Sequence, residues 1–299
     1  MNIRDLLLPA LAADALCLGP HWIYSQRQLA SIYPNGIEQF DSPRSSYHPG
    51  KTAGDLTHYG DQTIALLESI ARHGNYTPED WAADWTLFWQ GNTTSYRDGA
   101  TRDTLSNYQA GHKTPSTSND LSASARLAPL LGHLRNAPLN ERITAARSQN
   151  ALTHGDPAVI DSAEYFTRLV HHVAETGDIL QSLQLACDGQ YNALRPAETL
   201  AALSPVLELT PPEAARALGL TCHLPEAFPL TLYFLSNYAE NPQQALRDNA
   251  LIGGDNAARG MILGTIFGAA HSTCWLPPHW VSDLHEWERI EDMLLGVGI

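Results

Sequence analysis

Apolar positions along this chain recur at spacings of three and four, as in Ile64, Leu67, Ile70 and Ala71, and runs of strict alternation are hard to find. That is the pattern of helices with one buried stripe, so an all-α protein of about a dozen helices is expected from Ile3 onward. Thr77-Pro78-Glu79-Asp80 supplies one helix start: a hydroxyl cap, a proline where no helical N–H is missed, and two acids against the positive end of the dipole. Trp81, Trp85, Phe88 and Trp89 then share one face, an aromatic stripe read as core packing. Similar starts stand at Thr210-Pro211-Pro212-Glu213 and Asn241-Pro242, and Gly74 is placed to close a helix over 62–73. Residues 6–20 are as apolar as a signal-peptide core, but Asp14 interrupts them and Asp5 offsets Arg4, so a buried first helix is expected. Residues 91–119, rich in Ser, Thr, Asn, Asp and Gly, are expected to hold a long surface loop, a kind of segment that often carries function.

Composition narrows the classes. The 299 residues show no linker-like shift and no repeat, so residues 1–299 are expected to form a single domain. Acidic residues number 32 against 18 basic, a formal charge of −14, and the basic residues are scattered singly. No stripe exists to neutralise a phosphate backbone, which argues against long nucleic acid as a partner. No run approaches the roughly 20 apolar residues that span a bilayer, so no membrane partner is expected. Cys17, Cys187, Cys222 and Cys274 are widely spaced with no C-x-x-C pair, which suggests neither a zinc site nor a disulfide framework and fits a reducing cytoplasm.

Three polar segments interrupt apolar surroundings. In the first, Asp14 sits inside an apolar helix and His21 and Trp22 follow a Gly-Pro turn; a buried acid is commonly paired, and a histidine beside tryptophan is commonly a hydrogen-bonded core residue. The second, Gly54-Asp55-Leu56-Thr57-His58-Tyr59-Gly60-Asp61-Gln62-Thr63, leads into a helix expected to begin near Asp61, where the acid either caps the helix or faces a ligand beside its free amides. The third, Gly253-Gly254-Asp255-Asn256-Ala257-Ala258-Arg259-Gly260, again puts an acid at a helix start. Asp255 and Arg259 are spaced for an intrahelical ion pair, and Gly264 and Gly268 for close helix packing.

These segments resemble, in order and rough spacing, the motifs of ADP-ribosylglycohydrolases and dinitrogenase-reductase-activating glycohydrolases. Ala13 to Cys17 is similar to that family's opening Gly-Asp-Ala-Leu-Gly helix, and Gly60-Asp61-Gln62-Thr63 to its Thr-Asp-Asp-Thr motif. Ala125-Arg126-Leu127-Ala128-Pro129 resembles its Met-Arg-hydrophobic-Ala-Pro segment, Thr153-His154-Gly155-Asp156-Pro157 its Thr-His motif, and residues 253–268 its closing Gly-Gly-Asp-Thr-Asp-Thr motif and glycine-rich helix. The resemblance implies a compact multi-helix domain and hydrolysis of a glycosidic bond in a ribosyl or ADP-ribosyl compound.

It also implies a departure. The family holds two magnesium ions at six positions that here read Gly60, Asp61, Gln62, Asp255, Ala257 and Ala258, and the turn carrying the family's glutamate base here carries His21 and Trp22. Two carboxylates do not furnish a paired magnesium site, so no metal cofactor is expected; a single magnesium ion would have to use Asp61 and Asp255, with the Gln62 or Asn256 carbonyl. Asp61, Asp255, His21 and His58 are the expected catalytic residues: an imidazole that titrates near neutral pH, and an acid to activate water. Asp14, Tyr59, Gln62, Gly253, Gly254, Asn256, Arg259 and His154 are the expected substrate contacts, with the Arg259 charge standing where the family keeps metal. The site is expected where the start of the Asp61 helix meets residues 253–259, with His21 and His58 on its rim. The alternative is a non-catalytic ligand-binding or structural member, a route the superfamily took in lens crystallins; convergence of the polar cluster discriminates the two.

Overall fold

The computed structural model describes residues 2–92 and 94–296. Helices α1 (Ile3–Leu18), α2 (Gln26–Ile32), α3 (His58–His73), α4 (Pro78–Gly91) and α5 (Gly99–Gln109) come first. Helices α6 (Ser122–Ala125), α7 (Leu127–His133), α8 (Leu139–Ala151), α9 (Pro157–Thr176), α10 (Ile179–Leu185) and α11 (Pro196–Ala202) follow. Helices α12 (Pro211–Leu218), α13 (Leu224–Asn237), α14 (Pro242–Ile252), α15 (Asn256–His271), α16 (Pro278–Ser282) and α17 (Trp287–Gly296) complete an all-α fold. Among the described residues there is no strand, and two isolated bridges join Ser116 to His154 and Asp120 to His223.

The hub is α1, buried on every side and packed most extensively along α15. Glycines set that distance. A Cβ at Gly264 would lie 2.4 Å from the Pro9 carbonyl oxygen, and one at Gly268 1.9 Å from that of Asp5, so only a bare backbone fits. Pro9 has no N–H for the Asp5 carbonyl, which places the local weakness of α1 where α15 clamps it. One hydrophobic cluster runs from Ile3 in α1 to Leu294 in α17. No helix among the described residues is long and apolar enough to cross a membrane.

Helix starts largely follow the local chemistry. Thr77 caps α4 and buries Trp81, Trp85 and Trp89, Thr210 and Glu213 form a capping box on α12, Pro242 opens α14, and Gly74 closes α3 in the left-handed region at φ 70°. Two expectations need correction. Helix α3 starts after Thr57, about a turn before Asp61, because Asp14 on α1 accepts from both the Thr57 amide and hydroxyl at 2.6 Å and so fixes the cap there. Residues 91–119 are not one long loop: Asp98 caps α5, whose buried face of Ala100, Thr101, Thr104 and Leu105 is too small and hydroxylated to register as apolar periodicity.

Candidate functional site

Three chain segments meet around the first turn of α3. The Gly253-Gly254 turn before α15 has positive φ at both residues, 67° and 63°, and a Cβ on either would strike the carbonyl oxygen of Ile23 or Leu220. This bare turn lets Gly254 donate to the Ile23 carbonyl and accept from the Trp22 amide, both at 2.9 Å, while the Asp255 amide donates to Leu220. Trp22 itself sits at φ 59°, a left-handed conformation that costs a non-glycine residue about 1–3 kcal/mol and that the turn holds in place. The strain delivers the indole over the site, stacked on His21 at 4.4 Å and edge-on to Tyr47 at 4.8 Å and Tyr96 at 5.0 Å.

Beneath this aromatic roof lie His21, His48 and His58, all essentially inaccessible to solvent. His21 Nδ1 faces Asn256 Oδ1 at 2.8 Å; because the Asn256 amide nitrogen already donates to the Ala250 carbonyl, that oxygen is the acceptor and His21 carries its proton on Nδ1. Its Nε2 lone pair points toward Asp255 Oδ1, 3.8 Å away. His48 Nε2 and His58 Nδ1 are 3.2 Å apart, and His58 Nε2 lies 3.3 Å from Asp98 Oδ2. Asp255 Oδ2 accepts from the Tyr59 hydroxyl at 3.0 Å. Asp98 serves His58 Nε2, whereas His21 Nε2 and Asp255 Oδ1, 3.8 Å apart, and His48 Nδ1 are buried polar atoms with no hydrogen-bond partner among the described residues.

Burial decides the charges. It pushes His21 down to about 3 and, with the neighbouring imidazoles, carries His48 well below the usual range, so both rings are neutral at physiological pH. Asp255 is raised to about 6 by burial, against the opposing pull of the Arg259 guanidinium. The near-neutral titration expected of His21 therefore falls to Asp255 instead.

The other expected residues divide. Asp255, His21, His58 and Tyr59 converge, although the histidines line the buried floor and not the rim. Asp61 faces elsewhere: it takes the Lys51 ammonium on both oxygens at 2.8 Å and the Ser95 hydroxyl at 2.5 Å, beside an open polar cleft of about 190 Å³ that includes Glu68 and Arg289. Burial raises its pKa in spite of that lysine. Gln62 is used within the fold, its Oε1 accepting from Arg126 at 2.7 Å and Trp85 at 2.9 Å. His154 is bound on both nitrogens, to Asp120 at 2.9 Å and Thr153 at 2.8 Å. Asn256 spends its side chain on His21 and Ala250. Arg259 does not pair with the Asp255 carboxylate; it donates to the carbonyls of Asp255 and Gly253 at 3.0 Å and to Asn249 Oδ1 at 3.1 Å, clasping the glycine turn from within. Gly253 and Gly254 shape the turn, and Asp14, raised to about 7 by burial, anchors Thr57. Sequence reasoning missed Tyr47, His48, Lys51, Ser95, Tyr96 and Asp98. The signal for the first three was a Tyr-His-Pro-Gly-Lys turn inside the irregular stretch before α3.

The family profile described as ADP-ribosylglycohydrolase matches residues 2–297. The chain belongs to the ADP-ribosylglycohydrolase family. A solved structure described as an ADP-ribosylglycohydrolase-related protein complex shares its fold, with a TM-score of 0.68 and 21% identity over 99% of this chain and 96% of that one. Among curated proteins, none matches the sequence.

The magnesium pair that the family implies does not fit these residues. Of the six inherited positions, Gly60, Ala257 and Ala258 offer no side-chain oxygen, and the Gln62 oxygen already has two donors. Asp61 is neutralised by Lys51, and Asp255 is held by Tyr59. Gly60 has a steric reason of its own: a Cβ there would lie 2.5 Å from Asp14 Oδ2 and 2.8 Å from Leu56 Cβ.

Proposed function

We propose that this ADP-ribosylglycohydrolase family member hydrolyses an N- or O-glycosidic bond of a ribosyl or ADP-ribosyl compound at the Asp255–His21–His58 cluster, without the binuclear magnesium centre. The observation that carries the reading is the pair of unpartnered buried atoms His21 Nε2 and Asp255 Oδ1, 3.8 Å apart: a fold kept only for structure gains nothing from leaving them unsatisfied, whereas a reacting sugar and water would satisfy them. Asp255, ionised above about 6, takes a proton from the attacking water as the water oxygen bonds to the anomeric carbon; the glycosidic bond breaks with its electron pair going to the aglycone, to which Asp255 returns that proton. The neutral His21 Nε2 accepts a hydrogen bond from the water or a ribose hydroxyl, and Tyr59 holds the carboxylate in place. Trp22, Tyr47 and Tyr96 offer faces for a base or sugar ring, so entry requires the aromatic roof to part.

We read residues 1–299 as one domain, and four free cysteines support a cytoplasmic setting. The closed roof is the feature that favours the non-catalytic alternative. An assay of hydrolysis across nucleosides, ADP-ribose and ADP-ribosylated peptides, paired with thermal shift, separates them: the hydrolase reading requires turnover lost in Asp255→Asn, and stabilisation by a ribosyl ligand without any turnover would favour the alternative.

A further inference from the structure

We infer that His21, His48 and His58 form a binding site for a single borderline divalent transition ion of the zinc class, distinct in donor type and position from the carboxylate magnesium pair. One nitrogen of each ring lies within 4.8 Å of one from each of the others, and all three rings are buried. His48 Nε2 and His58 Nδ1, at 3.2 Å, already have the separation of two ligands on one tetrahedral edge, about 3.3 Å for metal–nitrogen bonds of about 2.0–2.1 Å. Bringing the widest pair onto such an edge is a side-chain shift of about 1.5 Å.

Two of the three outer nitrogens support the assignment. Metal-bound imidazoles characteristically give their other N–H to a carboxylate or carbonyl oxygen, which fixes the tautomer and leaves the inner lone pair free. His21 Nδ1 has Asn256 Oδ1 at 2.8 Å, and His58 Nε2 has Asp98 Oδ2 at 3.3 Å. Three neutral nitrogen donors suit zinc or cobalt and do not suit magnesium, which prefers oxygen. Asp255, 3.8 Å from His21 Nε2, supplies negative charge beside the ion, and Asp98 does so from the other side. Without an ion, the unpartnered Nε2 of His21 is left with no such account. The inference goes beyond the hydrolase reading and does not depend on turnover.

Cobalt(II) titration of chelator-stripped protein tests it. The expected result is one equivalent bound per chain with the visible d–d absorption of a low-coordinate site. One equivalent of zinc should displace it, and magnesium in large excess should leave it unaffected. His48→Ala should weaken cobalt by at least about 100-fold. Because that variant can fail to fold, X-ray absorption at the zinc edge of the wild-type protein gives a second reading, with imidazole scattering from three ligands expected. Absence of a saturable cobalt spectrum, oxygen-only coordination, or unchanged affinity in a folded His48→Ala protein would each overturn the assignment.

Discussion

The Tyr59 hydroxyl donates to Asp255 Oδ2 at 3.0 Å, tying the first turn of α3 to the cap of α15 across 196 positions of sequence. Since this bond favours the ionised carboxylate while burial opposes it, Asp255 titrates at about 6 and its basic form grows in as pH rises through that value. The pH profile of kcat/KM should therefore show an acid limb near 6. Tyr59→Phe should move the limb upward by about one unit, and Asp255→Asn should cost at least about 100-fold in kcat with the helical circular dichroism unchanged. A limb that stays put in Tyr59→Phe would remove Asp255 from the role.

Stability should carry a second pH signature. Asp14 is raised from 3.8 to about 7, so the folded state holds its proton more tightly than the unfolded chain does. Its contribution is fully present below about 4 and is lost as pH climbs through about 7, a fall of a few kcal/mol at most. His21 and His48, held neutral by burial, act in the opposite sense between pH 5 and pH 8, so the test is the comparison: in urea unfolding, stability should change more favourably from pH 5 to pH 8 in Asp14→Asn than in the wild type. Asp255, raised in the same direction, should leave a residual slope. An identical slope in wild type and variant would disprove the assignment.

Restoring an ancestral-type ligand should not restore a magnesium site. Gly60→Thr would push a Cβ to 2.5 Å from the Asp14 carboxylate, so it should destabilise the protein by about 1–3 kcal/mol and leave magnesium affinity unmeasurable by calorimetry. Tight magnesium binding by this variant would contradict the account of the site.

Arg259 acts by holding shape. Arg259→Ala strands the carbonyls of Gly253 and Asp255 and the Asn249 side chain in a dry interior, for an expected loss of about 3 kcal/mol or more. Arg259→Lys keeps the charge but cannot span three acceptors, so it should recover less than half of that loss in denaturant midpoint. Full recovery by lysine would show that charge, and not the fork, is what matters.

Much of the helical plan was legible because proline and hydroxyl caps act locally: Thr77, Thr210 and Pro242 open helices where their chemistry says they should. That Asp255, His21 and His58 come together was legible in part: Asp255 stands in a segment that resembles a family motif, and the two histidines stand in polar segments that interrupt apolar surroundings. His48 and Asp98 were not, since they come from stretches without apolar periodicity and reach the site only through long-range packing. The start of α3 was misplaced for the same reason, because the acid that anchors its cap belongs to α1. The partner of Asp61 was hidden as well, because Lys51 belongs to that irregular stretch.

The seam between α1 and α15 also has a timetable. Cys17 donates to the Asn256 carbonyl across 239 positions, and at about 5–20 residues per second a ribosome needs roughly 12–50 seconds to make the chain between them. Throughout that interval α1, largely apolar and buried on every side in the finished fold, has been made but lacks the backbone groove that Gly264 and Gly268 provide. The nascent chain must therefore keep its first helix from other apolar surfaces until the last seventh of the sequence, which begins with α15, has been made.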